Sequence, residues 1–506
     1  MYIPSEPVKT PDLSVENKCP LYLTREAQWK VMRDCIEGSD AVKAAGPEYL
    51  PKAPGKSKIE TERRYAAFLK RAVYVNFTGQ ALDIMHGMIF RRSPAIQAPD
   101  NFIDSGALGN IDNRGNGLYQ FLSDSVRDVM ATGFGGILLD MPAAPEGLTV
   151  EEAEKMGIRP HLKYYKAEDI DFWRFDNFNG VERLSLVKLK ERVDRGSMFV
   201  HSYETRYRVL AINEKGEYYQ TVYDPVKDAN GKVVEYTETV IPITVNGNPI
   251  EYIPFVMLPF GEPEQPPLYN LAVLNIAHYQ STADFKNGVH ISTLGTGWIT
   301  GHEAKEDEEH KEQNESITLG DDAFLMIPEP EAKVGKIEFA GEGLAHSEKD
   351  IDKIESQMAG LFLKDIAPDK KTSETAESAY VHRAGENARL ATLARNISVK
   401  VTQILQWFME WKGYEGNISL QLNYDYETMS LDPNIINSIA NISGQGKFPL
   451  YSVFWILQQQ ELVEPDMTYD DFIYLIDMEQ LSGLTNKEIY DAFKSKRAQE
   501  HRAVKA

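Results

Sequence analysis

The sequence predicts a mixed α+β fold, and three observations predict it. Apolar residues recur at helical spacing through residues 61–90 and 117–132. Residues 160–260 interleave apolar and aromatic side chains with charged ones at the period of a strand. A single helical pattern then runs from residue 373 to about 411. At 1.5 Å per residue that last helix spans roughly 55–60 Å, longer than a compact domain needs.

Taken in order, Pro4, Pro7 and Pro11 mark an extended N-terminal arm. Trp29–Glu37 reads as a short helix and residues 46–58, rich in Pro and Lys, as a loop. Tyr65, Phe68, Leu69, Ala72 and Val73 form one apolar stripe, and Ala81, Leu82, Met85, Met88 and Ile89 a second, with the break expected at Gly79. Leu118, Phe121, Leu122, Val126, Val129 and Met130 give the buried face of a further helix. Strands are expected over Val181–Val193, Phe199–Ile212, Glu217–Tyr223 and Lys232–Ile243, with turns at Asn230-Gly231 and Asn246-Gly247-Asn248.

Pro266-Pro267 opens a long helix ending near Gly288, because proline is tolerated in a first helical turn. An irregular and β segment, Ile291–Phe339, follows and contains an acidic run, His302–Glu315. The next helix, Leu344–Phe362, carries Leu344, Ile351, Ile354, Met358 and Leu361 at heptad-like spacing. Residues 364–371 form a charged loop broken by Pro368. Thr372 or Ser373 caps the longest helix, whose apolar stripe is Leu390, Leu393, Ile397, Val401, Ile404, Leu405 and Phe408. A strand over Ile418–Tyr426 and several helices from Pro433 to Ala498 close the chain.

The 506 residues allow two or more domains, and a 42% hydrophobic fraction allows a sizeable core. Lys and Arg number 54 against 76 Asp and Glu, a formal charge of −22. Gripping nucleic acid requires basic patches that displace counterions, so a chain this acidic is no simple DNA binder. It is still compatible with surrounding DNA, because a like-charged wall lets a polyanion slide. Cys19 and Cys35 fit no metal or redox spacing, and so few cysteines fit a reducing compartment. No signal peptide and no membrane-length apolar run is present.

Gly133-Phe134-Gly135-Gly136 invites a phosphate-loop reading, but such loops follow a strand and open a helix. Here a helix precedes and an apolar strand, Ile137-Leu138-Leu139, follows. The hydrolase and zinc-protease motifs are absent, and no Cys/His pair stands out, so no enzymatic activity is expected. His302, Glu303 and His310 are the one metal-capable grouping, and histidines in an acidic loop are common, so no metal or cofactor is expected.

Three local strings add to this order of elements. Tyr74-Val75-Asn76-Phe77-Thr78 through Gly87-Met88-Ile89-Phe90-Arg91-Arg92-Ser93-Pro94 is one, and Gly133-Phe134-Gly135-Gly136-Ile137-Leu138-Leu139-Asp140-Met141-Pro142 the second. The third is Thr372-Ser373-Glu374-Thr375-Ala376-Glu377-Ser378, with Asn396, Trp407 and Trp411 downstream. Together they make the chain resemble tailed-bacteriophage portal proteins over nearly its whole length, residues 1–60 matching least. The resemblance implies a portal fold: an N-terminal arm and α/β wing over 1–265 and a first stem helix over 266–290. A small β-containing clip over 291–340 and a second stem helix over 341–362 follow. A tunnel loop over 363–372, a long helix and wing strand over 373–428, and a helical crown over 429–506 complete it.

The function so implied is that of a ring of twelve copies at one capsid vertex, a conduit for packaging and ejection of double-stranded DNA. Its partners would be DNA without sequence specificity, the terminase large subunit, a head–tail adaptor, and the major capsid and scaffolding proteins, with no membrane. Its place would be the virion, after assembly in the host bacterial cytoplasm. Lys364, Asp365, Lys370 and Lys371 would lie on the tunnel loop facing DNA, the lysines making weak, salt-screened phosphate contacts. His302, Glu303, Glu306, Asp307, Glu308 and Glu309 would serve clip docking. The plainer alternatives are a solvated turn for the acidic run and an ordinary exposed loop for the lysines. Another head–tail adaptor or capsid-associated structural protein is the competing identity.

Overall fold

The helical front of the chain begins earlier than its periodicity suggests. In the computed structural model α1 spans Pro20–Glu37, starting well before Trp29. Pro20 occupies the first turn, where a missing N–H costs nothing, and the Cys19 N–H donates to Asp171 O at 2.8 Å. Tyr22, Trp29, Met32 and Cys35 line its buried face. Trp29 stacks on Phe134, whose ring meets Trp173, and its indole N–H donates to Thr132 O at 2.9 Å. The structure describes residues 8–10, 13–52, 58–142, 159–178, 180–245, 247–294, 296–300, 324–327, 333–337, 342–362, 376–424, 426, 449–459, 463 and 467–481.

α2 (Ser39–Ala45), α3 (Lys58–Arg71) and α4 (Phe77–Ile89) follow. The break between the two apolar stripes falls at residues 72–76, not at Gly79. Asn76 caps α4, its Oδ1 accepting from Gly79 N–H at 2.7 Å. A Cβ at Gly79 would lie 2.6 Å from Asn76 Nδ2, so this glycine makes room for the cap and the helix runs through it.

After the short α5 (Asp100–Asp104), α6 (Leu118–Thr132) ends at Gly133, whose φ of +73° and N–H to Val129 O at 2.7 Å make the left-handed terminus that glycine favours. Strand β3 (Gly135–Asp140) leaves directly and is buried almost throughout. The Tyr164 and Phe255 side chains fill the space that side chains at Gly135 and Gly136 would need. The glycine cluster is therefore a packed helix-to-strand turn, as its order in the sequence predicts.

β3 pairs antiparallel with β4 (His161–Lys166) and with β12 (Phe255–Leu258) in a three-stranded sheet. Beside it stands a six-stranded antiparallel sheet of β1 (Val8–Thr10), β5 (Ile170–Phe178), β6 (Val181–Asp194), β7 (Tyr203–Ile212), β8 (Tyr218–Lys227) and β9 (Val233–Pro242), in the order β1-β9-β8-β7-β6-β5. The expected meander is thus present, with Gly231 at φ +80° in its last turn. β7 starts at Tyr203 and not at Phe199, because residues 197–200 close a tight turn. Lys188 pins the N-terminal segment to this sheet: its ammonium donates to Val15 O at 2.6 Å and Asn17 O at 2.5 Å and pairs with buried Asp171 at 3.1 Å.

Two short strand pairs lie outside these sheets. β2 (Ala95–Gln97) pairs with β16 (Ser419–Gln421), shorter than the strand expected over 418–426, and β10 (Thr244–Val245) pairs with β11 (Asn248–Pro249). The chain forms two compact units, Met1–Asp425 and Tyr426–Ala506. In the second, α10 (Leu450–Gln459) and α11 (Tyr469–Leu481) share a small core of Phe454 and Met467 with Tyr469 and Phe472. The fold is α+β.

Candidate functional site

Helix α7 (Tyr269–Leu294) starts after Pro266-Pro267 and continues past Gly288, where its end was expected. Gly288 stands where α8 (Glu342–Phe362) crosses it, and a Cβ there would lie 2.8 Å from Leu344 Cδ2. The glycine is a contact point between helices and no terminator. At 1.5 Å per residue α7 is about 39 Å long and α8 about 32 Å.

Between the two helices lies a small mixed sheet. β13 (Thr296–Thr300) is central, parallel to β14 (Phe324–Ile327) and antiparallel to β15 (Val334–Ile337). The 36-residue α9 (Ala376–Trp411) follows α8. Its C-terminal half carries the predicted stripe: Ile397, Val401, Ile404, Leu405 and Phe408 are buried, with Trp411 Nε1 donating to Tyr252 OH at 3.2 Å.

α7 is embedded. It packs against α1, α3, α4 and α8, with Leu271, Ala272, Tyr279 and Ala283 buried. Its anchor is Asn275, which is fully buried. Asn275 Oδ1 accepts from Tyr74 OH (2.9 Å), Thr78 N (3.1 Å) and Thr78 Oγ1 (3.0 Å), while Nδ2 donates to Val75 O at 2.9 Å. One carboxamide thereby joins α7 to the break before α4. Burial pushes the nearby Cys35 thiol up to about 11, which leaves it protonated and inert.

α8 is differently placed. Its main packing partner is α7, met through Ile354 and Met358. His278 Nε2 lies 3.0 Å from Glu355 Oε1, and Ser281 Oγ donates to Asp350 Oδ2 at 3.3 Å. The opposite face, with Glu348, Lys349, Asp352, Lys353, Ser356 and Gln357, is exposed and alternates in charge, the pattern of a helix side bathed in water.

The residues singled out from the sequence fall in two stretches of the chain, one before α8 and one after it. His302, Glu303, Glu306, Asp307, Glu308 and Glu309 belong to the connection between β13 and β14, and lie outside the described residues. Lys364, Asp365, Lys370 and Lys371, between α8 and α9, also lie outside them, as does the cap expected at Thr372 or Ser373. Among the described residues no group of His, Cys, Asp and Glu could hold a metal ion, and no helix is long and apolar enough to cross a membrane. Sequence reasoning missed Asn275. A carboxamide one turn before a histidine on an otherwise apolar stripe was the available signal.

A family model described as a domain of unknown function (DUF4055) matches residues 267–412, which is the stretch from α7 to the end of α9. No curated protein matches the chain. Solved structures similar to this chain include two from particle necks. A chain from the neck of an empty GTA particle with C6 symmetry is 12% identical, with a TM-score of 0.33 over 82% of this chain and 89% of that one. A chain from the neck of the native GTA particle with C12 symmetry is 10% identical, with a TM-score of 0.32 over 76% of this chain and 89% of that one.

Proposed function

We propose that this chain is the subunit of a portal ring, a conduit for double-stranded DNA at one capsid vertex and a docking platform for a packaging motor and tail adaptors. The observation that carries the reading is the sequence of elements from residue 269 to 411. A long embedded helix leads to a small three-stranded sheet, a second helix returns along the first, and one very long helix re-enters the body. The chemistry of α8 agrees with that role. One stripe packs on α7, while the other face keeps its charges in water along the helix, as the wall of an aqueous channel requires. The role needs no catalytic group. In this reading the small sheet is the clip carrying the acidic run, and Lys364, Lys370 and Lys371 are the cations nearest the DNA.

A head–tail adaptor or capsid-associated protein is the competing reading, and the helix–sheet–helix insertion before a very long helix speaks against it. Native mass spectrometry with negative-stain imaging tests the choice. Twelve copies of the 57.2-kDa chain weigh about 686 kDa. A species near that mass with a stain-filled central hole is expected. A chain that stays monomeric even with scaffolding and capsid proteins present would sink the ring.

A further inference from the structure

The hairpin β6–β7 ends in a turn of unusual composition. Ser197 N donates to Val200 O at 2.9 Å and Val200 N to Ser197 O at 3.2 Å, which leaves Met198 and Phe199 as the two central residues. Such positions ordinarily hold Gly, Asn, Asp or Ser. Here Met198 is 89% exposed, Phe199 90% and Val200 63%. The last buried residue of β6 is Glu191. At 3.3 Å per residue, residues 192–198 carry the tip roughly 20 Å beyond it.

The neck of this arm is held in one shape. Asp194 Oδ1 accepts from Gly196 N and Ser202 N, both at 2.9 Å, and Asp194 Oδ2 bonds His201 Nδ1. His201 stacks on Tyr203, and the Arg192 guanidinium lies 3.8 Å from the centroid of the Tyr203 ring. A Cβ at Gly196 would fall 1.8 Å from Val200 O, so only glycine lets the loop close. A preordered apolar tip on a projecting arm loses little conformational freedom on docking, which favours recognition.

The same unit carries a receptor of matching character. Gly133, Pro259, Phe260, Pro267 and Leu393 line a mostly apolar cleft of about 270 Å³. Exposed Glu264 and Gln265 also line it, whereas half-exposed Arg195, paired with Asp224, and exposed His201, bonded to Asp194, flank the tip. We propose that the Met198-Phe199 tip docks into this cleft on a second copy of the chain. Tip and cleft are different surfaces, so the contact is heterologous, the kind that closes a ring when its rotation permits. Two side chains cannot hold a stable interface alone, and the contact is one anchor within a larger one. The inference deepens the ring reading and rests on it.

Complementation between full-length chains tests it. One chain carries Met198→Ser with Phe199→Ser; the other carries Phe260→Arg. All three positions are exposed, Phe260 at 43%, so folding is preserved and circular dichroism checks it. Sedimentation velocity at micromolar concentration is expected to show association of the wild type and at least a tenfold weaker association of each variant alone. An equal mixture then gives a one-to-one heterodimer, because one intact tip meets one intact cleft. Variants that assemble like the wild type would overturn the docking contact and leave the ring standing. Two defective variants whose mixture restores nothing would show that tip and cleft do not meet. A wild-type chain that stays monomeric even with scaffolding and capsid proteins present would remove both the contact and the ring.

Discussion

The six-stranded sheet meets its smaller neighbour through Glu191, and α7 meets α8 through His278 and Glu355, yet the two junctions bury very different amounts of charge. Glu191 is 4% exposed and accepts from Lys163 Nζ and Tyr165 OH, each at 2.6 Å, and from Arg206 Nε at 2.8 Å. Arg208 reaches both Glu191 and Asp140 of β3. Burial alone would raise the Glu191 carboxyl; the charges of Arg208 and Lys163 and the hydrogen bonds outweigh it and hold the group well below the usual carboxylate range. Of the polar pair at the helix junction His278 alone is buried, and Glu355 is 49% exposed. The first junction leaves the sheets one relative placement. The second is an apolar stripe with a half-exposed His278–Glu355 contact at its edge.

Four measurements would break or sharpen this contrast. The largest effect is expected from Glu191→Ala, which leaves buried Tyr165 without its acceptor and Arg208 with one carboxylate partner in place of two. A loss of about 3–5 kcal/mol should appear in the denaturant midpoint of the first unit. A change below 1 kcal/mol would mean that the cluster is ornamental. Next comes Met358→Ala, at about 2–4 kcal/mol. Because α8 leans mainly on α7, the loss should be local, as faster hydrogen exchange in 342–362 with exchange in the sheets unchanged. Uniform acceleration across the unit would refute the idea of a separable helix.

Asn275→Ala should cost about 1–3 kcal/mol by leaving Tyr74 OH and Thr78 N–H unsatisfied, and it should loosen α7 and α4 together. Exchange confined to α7 would show that Asn275 is no joint. The smallest effect belongs to Glu355→Gln, at about 0–1 kcal/mol, because the contact is half-exposed and the amide oxygen can still accept a hydrogen bond.

The two junctions also separate by pH. Glu191 has its pKa lowered on folding, so its contribution is complete above the unfolded carboxylate value, about 4.3. It is lost as pH falls from there toward the depressed folded value. An acid titration followed by near-ultraviolet dichroism should therefore show sheet tertiary structure weakening below about pH 4 in the wild type. The same titration in Glu191→Gln should be flatter, and an identical acid limb in both would exclude this carboxylate as the cause.

Much of this was legible in the residues, and the misses share a cause. The stripes of α6 and α9 and the alternation of β6 to β9 could be read because burial on one face imposes a period on the chain. Trp29 marked α1 while Pro20 hid its start, since proline reads as a breaker until its place in a first turn is known. Gly79 and Gly288 were read as breaks, although both admit a neighbouring group that sits at a distance in sequence. Phe199 read as the start of a strand because it is apolar, and only the closure of Ser197 on Val200 reveals a turn. The acidic run and the loop lysines were legible as charge patterns alone.

By itself the sequence determined the α+β class, the succession of a β block, a helix, a small β segment, a second helix and one very long helix, and the absence of a phosphate-loop order. Those properties are local, set by propensity and by hydrophobic period. Tertiary structure alone decided that Glu191 gathers three cations from two strands, that Asn275 fastens α7 to the turn before α4, that α8 keeps a wet face, and that Met198-Phe199 stands bare at the end of an arm. Each depends on which distant groups meet, and long-range contacts leave no period in the chain.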